Sequence, residues 1–230
     1  MQSVEDNIKD DFKPIITYTL VGLNILIYLW DRELGMRGSS IVFADLGMRP
    51  ANIIQLFNGG DPFQAVTLFT GLFLHGNLSH ILANMIGLYT FGAAIESTFG
   101  GFRFLGYYLL WGLASSGLHI LMNLDSGIPV IGASGAIGGI MGCYFWLYPK
   151  SKLAIVIPPV FIPVVVSAWV ILGGWFLLQI FLPQEGVANR AHAGGFLAGL
   201  LTVYLLGGRK KVIKNAFQDP QLEYEEDSND

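Results

Sequence analysis

Apolar residues gather into six blocks along the chain, approximately Ile15 to Trp30, Leu78 to Ser97, Phe102 to Met122, Val130 to Tyr148, Val160 to Leu182 and Val187 to Gly207. Each is near the roughly 20 residues that cross a bilayer as a helix, so the pattern predicts an all-α polytopic membrane protein with a six-transmembrane-helix bundle. The first block is short. The fifth follows Ile155-Val156-Ile157-Pro158-Pro159, whose prolines suit an apolar interfacial loop better than a helix interior. Three regions result: an N-terminal segment 1–14, a membrane domain 15–207 and a C-terminal tail 208–230.

Charge between the blocks gives the chain a direction. With both termini in the cytoplasm, Lys9, Lys13, Arg103, Lys150, Lys152, Arg209, Lys210, Lys211 and Lys214 fall inside, while Arg32, Arg37, Arg49 and Arg190 fall outside. That nine-to-four split follows the positive-inside rule and predicts cytoplasmic N and C termini. The connection Asp31 to Asn77 then becomes a long external loop. Its apolar stretches, Ile53-Ile54-Gln55-Leu56-Phe57 and Ala65 to Leu74, are too interrupted to span and are expected to be partly helical, lying against the bundle. Such a loop either bears function or simply seals one side.

Composition agrees with a membrane domain. Of 230 residues 53% are apolar and 13% charged, and the mean hydropathy is +0.53, too greasy for an ordinary soluble domain of this length. The net charge of −4 says little about partners, because much of the acid lies in the tail Glu223 to Asp230. Nothing supports nucleic-acid binding. A single cysteine, Cys143, excludes an internal disulfide and a cysteine-based metal cluster, and reads as a small packing residue. No cofactor or metal is expected. Charged and polar residues fill the first fourteen positions, so no cleavable signal peptide is expected either.

Polar residues are costly in hydrocarbon and mark function there by default. Ser134, near the start of the fourth block, and His192, near the start of the sixth, both enter from the external side, as do His80 and Asn84 at the start of the second. At 1.5 Å rise per residue, Ser134 is expected about one turn below its helix start. Ser134, Gly138 and Gly142 recur at intervals of four, with Gly135 and Gly139 offset by one, and Ala191, Gly195 and Gly199 form a matching ridge. Small residues let helix backbones approach closely in lipid, and His192 shares a side with Gly195. A serine needs a base to become a nucleophile, and neutral histidine suits that role. The i, i+4 pair His80 and Asn84 offers two donors for an oxyanion, and glycines 132 and 135 leave room for a substrate backbone. No acid is placed to orient His192, so the reading is a Ser-His dyad.

Each residue taken singly has a plainer explanation. A serine in a glycine-rich helix commonly just packs, Asn84 serves as interhelical glue, and His75, His80 and His119 fit a surface. Convergence of serine, histidine and amide on one side of the membrane favours catalysis. Glu96, an acid near the internal end of the second block, is assigned a structural role, capping a neighbouring helix or bonding the following loop.

At these residues the chain resembles the rhomboid family of intramembrane serine proteases. The resemblance rests on Gly132-Ala133-Ser134-Gly135, on Ala191-His192-Ala193-Gly194-Gly195 followed by Gly199, on His75 through Met85 with His80 and Asn84, and on Gly92-Ala93-Ala94-Ile95-Glu96, and covers about residues 15 to 207. It implies a rhomboid-like bundle with Ser134 as nucleophile, His192 as base and then acid, and His80 and Asn84 at the oxyanion. It also implies transmembrane proteins as substrates, a site opening to the external face of a plasma (inner) membrane, and movement of the fifth span and the cap Pro183 to Arg190 as substrate enters. Two positions depart from the family pattern. Its Trp-Arg pair in the external loop aligns with Val66 and Thr67, and the aromatic residue one turn after the serine is Gly138, so His192 must be oriented by another contact. The alternatives are a rhomboid-like pseudoprotease that binds transmembrane helices without cutting, disfavoured by retention of both dyad residues, and a small transporter, disfavoured by the lack of matching half-repeats.

Overall fold

A computed structural model of the chain describes residues 8, 12–36, 45–157, 162–182 and 186–217. Its first long helix, α1 (Ile15–Met36), is followed by a connection carrying two short helices, α2 (Pro50–Gln55) and α3 (Thr67–Thr70), with 3₁₀ turns around them. Then come α4 (Leu78–Phe99), α5 (Gly101–Leu121) and α6 (Ser134–Leu147), a hairpin of β1 (Lys152–Ile157) and β2 (Ile162–Ser167), and α7 (Ala168–Phe181), α8 (Asn189–Leu205) and α9 (Gly208–Phe217). Among the described residues α4 and α5 are long and apolar enough to cross a membrane, with a third span if α8 and α9, bent by 75°, count together.

Three local differences from the apolar blocks have identifiable causes. The fourth block, expected from Val130, becomes helical only at Ser134, because Val130 bridges Met48 (N–H to O, 2.7 and 3.1 Å) and Gly132 sits at φ +115°, outside helical space. Ser134 is therefore the first residue of its helix and not a turn below its start. The fifth block, expected from Val160, begins as a helix at Ala168. The residues before it, Ile162–Ser167, were expected within the fifth span but pair antiparallel with Lys152–Ile157 in the register Leu153 with Val166 and Ala154 with Val165, so that Ile155–Ile157, expected in a loop, is strand too. Their run of β-branched residues suits a strand. The tail region starts with α9, which seats Val212 and Ala216 on the bundle and donates Arg209 Nε–H to the Leu147 carbonyl at 2.7 Å. The acidic run Glu223 to Asp230, and Pro183 in the expected cap, lie outside the described residues.

α6 is the axis of the molecule. Every residue from Gly135 to Tyr144 is buried, walled by Leu88, Tyr108, Trp111 and Phe196 from α4, α5 and α8. Against α8 its backbone comes into direct contact. A methyl added at Gly195 would strike the Gly135 carbonyl, one at Gly199 the Gly139 carbonyl, and one at Gly142 the Phe196 carbonyl. Hydrogen bonds hold this seam from both sides: Cys143 Sγ–H to the Gly199 carbonyl (3.2 Å), Ser115 Oγ–H to the Ala191 carbonyl (2.7 Å) and Trp111 Nε1–H to Thr202 Oγ1 (2.9 Å). Outward-facing Leu78, Leu82, Ile86 and Tyr89 of α4 and Leu197, Leu201 and Tyr204 of α8 are exposed, as a bilayer-facing surface requires.

The buried Glu96 carboxylate accepts from the Ile16 N–H (3.0 Å), the Thr17 N–H (2.7 Å) and the Thr17 hydroxyl (2.7 Å), the orphan donors of the first turn of α1. It thus takes the capping role expected from the sequence and ties α1 to α4. Glu96→Ala leaves these donors without an acceptor. It is expected to lower the free energy of unfolding in detergent by about 3 kcal/mol, measured by thermal or denaturant melts, with a smaller loss for Glu96→Gln.

Candidate active site

Two turns of chain bring Ser134 to an exposed edge of the seam. Gly132 donates its N–H to the Gly71 carbonyl (2.8 Å), which fixes the left-handed kink, and the chain enters α6 directly at Ser134. The N–H groups of a helix's first turn have no intrahelical acceptor, so Ser134 stands among free backbone donors. Across the seam His192 lies in the first turn of α8, and its Nε2 is 2.7 Å from Ser134 Oγ. Both side chains are half-buried.

Gly138 makes that distance possible and explains the second departure from the family pattern. A methyl there would stand 2.8 Å from the His192 carbonyl oxygen and 3.3 Å from the Phe196 nitrogen, so no side chain fits, least of all an aromatic ring. The ring of His192 is held instead from α7. Trp175 stacks on it with centroids 5.8 Å apart and planes at 28°, and Gln179 Oε1 is 2.8 Å from His192 Nδ1. An amide oxygen only accepts, so Nδ1 carries the proton and Nε2 keeps the lone pair that faces the serine hydroxyl.

His80 and Asn84 reach the same place from α4. A methyl on Gly132 would come within 2.6 Å of His80 Nε2 and 3.6 Å of Asn84 Nδ2, so both side chains border the approach to Ser134. Asn84 Nδ2 is buried without a hydrogen-bond partner among the described residues, an unspent donor facing the serine motif. His75 is buried too, edge-on to His80 at 4.9 Å. Burial first and His80 second push its pKa down to about 4, leaving it neutral at pH 7. Gly135 presses on the Ser115 side chain, and a small cavity lined by Gly132, Ser134, Gly135, Ser115 and Ser116 opens beside the dyad.

The connection between α1 and α4 is anchored without a Trp-Arg pair. Arg49 Nε–H donates to the Gly127 carbonyl (3.0 Å), the Ala51 N–H to the Ser126 carbonyl (3.0 Å) and Asn52 Nδ2–H to Gln64 Oε1 (3.0 Å), and Thr67 is buried with its hydroxyl on the Gln64 carbonyl (2.6 Å). The sequence reading named Ser134, His192, His80, Asn84, Gly132 and Gly135, and these six come together. It missed Gln179, Trp175 and Ser115. Gln179 carried a legible signal, being the one amide in the apolar helix α7.

A family profile described as the Rhomboid domain matches residues 62–209. Among relatives, Rhomboid protein 1, mitochondrial, of Saccharomyces cerevisiae is 29% identical over 81% of this chain and 51% of its own length. Rhomboid protease GluP of Bacillus subtilis is 28% identical over 85% of this chain and 35% of its own, and RHOMBOID-like protein 5 of Arabidopsis thaliana 32% over 60% and 43%. The chain thus spans about half or less of the length of these relatives.

Because backbone, and not a movable side chain, occupies the space beside Gly138, Gly138→Ala is expected to destabilise the protein by about 1–3 kcal/mol, read as a lowered Tm in detergent. An unchanged Tm would show that α6 and α8 have slack at the dyad.

Proposed function

The chain belongs to the rhomboid family, and from that premise we propose that it is an intramembrane serine endopeptidase acting on transmembrane segments of other membrane proteins. The observation that carries this reading is the 2.7 Å hydrogen bond between Ser134 Oγ and His192 Nε2. In the proposed reaction Ser134 Oγ attacks the scissile carbonyl carbon while its proton passes to His192 Nε2. The oxyanion is held by Asn84 Nδ2–H, by a His80 ring N–H and by first-turn N–H groups of α6, with Gly132 and Gly135 leaving room for the substrate backbone. His192 then gives its proton to the leaving amine, and the C–N bond breaks. Water, deprotonated by His192, attacks the acyl-enzyme and releases Ser134.

The membrane arrangement belongs to the same proposal: six spans made by α1, α4, α5, α6, α7 and α8, cytoplasmic termini, and a site opening on the external face. Two membranes suit it. The sequence reading favours the plasma (inner) membrane, whereas the yeast relative and RHOMBOID-like protein 12 of Arabidopsis thaliana are named as mitochondrial. Fractionation of the tagged chain in its own cell separates them.

Purified protein in liposomes with a single-span model substrate is expected to cleave it, and Ser134→Ala and His192→Ala to reduce cleavage to background. Asn84→Ala is expected to slow turnover by about 10–100-fold, less than the roughly 10²–10³ for a sole oxyanion donor, since His80 remains. Cleavage surviving either dyad substitution overturns the mechanism. Binding of the substrate without cleavage by the wild type would mark a helix-binding pseudoprotease.

A further inference from the structure

Beyond the Ser134 hydrogen bond, α6 offers the His192 ring no packing side chain one turn on, since Gly138 is walled in by backbone. Two side chains of α7 take that place. Trp175 and Gln179 are one turn apart and so share a helix face. Gln179 Nε2–H donates to the Trp175 carbonyl at 3.4 Å, which turns the amide so that its oxygen faces His192 Nδ1 at 2.8 Å. That oxygen has no proton to give. A ring pinned against it is therefore confined to the tautomer with Nδ1 protonated and Nε2 free.

We propose that Gln179 is a positioning residue of the dyad, the neutral third member of a Ser134-His192-Gln179 hydrogen-bond chain, and that it operates only while α7 is seated on α8. The proposal rests on the endopeptidase reading for its consequence but not for its geometry. A neutral amide suits this wall of the bundle, because an ionised carboxylate there carries a far larger desolvation cost. Seating and orientation are also the same set of contacts. Only Ala168 and Leu172 of α7 are buried, while Leu177, Leu178, Ile180 and Phe181 are exposed. What holds this half of α7 to α8 is Phe176 stacked on Phe196 (4.6 Å), Trp175 near Phe196 (6.3 Å) and on His192 (5.8 Å), and the Gln179 hydrogen bond. If α7 moves outward, His192 loses both its platform and its acceptor.

The test compares Gln179→Leu, which removes the acceptor at similar size, with Gln179→Glu, which keeps it. In liposomes the Leu variant is expected to lower kcat about 10–100-fold with KM within about twofold, short of the roughly 10⁴ lost when a charged orienting aspartate is replaced. The Glu variant is expected to restore turnover and to move the acid limb of the kcat profile to higher pH, since a carboxylate favours the imidazolium. His80 is the other titratable ring that borders the approach to Ser134, so both variants are also read in a His80→Gln background. Independently of proteolysis, ¹⁵N spectra of histidine-labelled protein, with four histidines and His192 assigned by substitution, are expected to show the Nδ1–H tautomer in the wild type and its loss in Gln179→Leu. An unchanged tautomer, a Leu variant with wild-type kcat, or a Glu variant as slow as Leu with an unmoved acid limb overturns the proposal. A wild type that shows the tautomer but cuts nothing would instead sink the endopeptidase reading and leave the positioning geometry standing.

Discussion

Backbone contact between α6 and α8 is the constraint on which the rest depends. In lipid there is little apolar attraction between helices, so association relies on close packing and hydrogen bonds. Here glycines at 135, 139, 142, 195 and 199 let each helix rest on the other's carbonyl groups. The result is a separation small enough for Ser134 and His192, 58 positions apart in sequence, to share a hydrogen bond. It also removes any room for a side chain at position 138. The tight seam leaves no room for an aromatic ring at position 138, and the stacking and orienting groups of His192 sit on α7 instead.

Polarity in the bundle divides into two kinds. Away from the site several buried polar groups are paired: Glu96 with the start of α1, Trp111 with Thr202, Thr98 with Tyr148 at 2.6 Å, and Tyr144 with Ser151 at 2.8 Å. Each pairing meets the need to satisfy such groups inside a low-dielectric interior, and the Glu96 and Trp111 pairings also fix one helix against another. Around the dyad the accounting is different. Among the described residues Asn84 Nδ2 has no partner beside Gly132, and the first-turn amides of α6, which begins at Ser134, have no intrahelical acceptor. Unspent donors gathered around a hydrogen-bonded serine are what stabilisation of a developing oxyanion requires.

Much of this was legible in the chain because the relevant signals are local. Hydropathy marked α4 and α5, interval-four glycines marked the seam, and an acid inside an apolar block marked Glu96. The helix starts at Ser134 and Ala168 were less legible, since hydropathy does not distinguish an apolar strand or a kinked entry from a helix. Met48 pairing with Val130 is a long-range contact with no sequence signature, and Ile162–Ser167 became a strand only through its partner. The partner of His192 was missed for a similar reason. Gly138 announced that something else must hold the ring, but only the placement of α7 beside α8 identifies Trp175 and Gln179.

The central claim is that His192 makes Ser134 nucleophilic within a membrane. Covalent labelling measures this without a substrate: protein in liposomes is treated with a fluorophosphonate, which traps activated serines, and the adduct is mapped by mass spectrometry. The account predicts a single adduct on Ser134 in the wild type and none in His192→Ala over the same time. An unlabelled wild type, or a His192→Ala variant labelled at Ser134 as fast as the wild type, would contradict it.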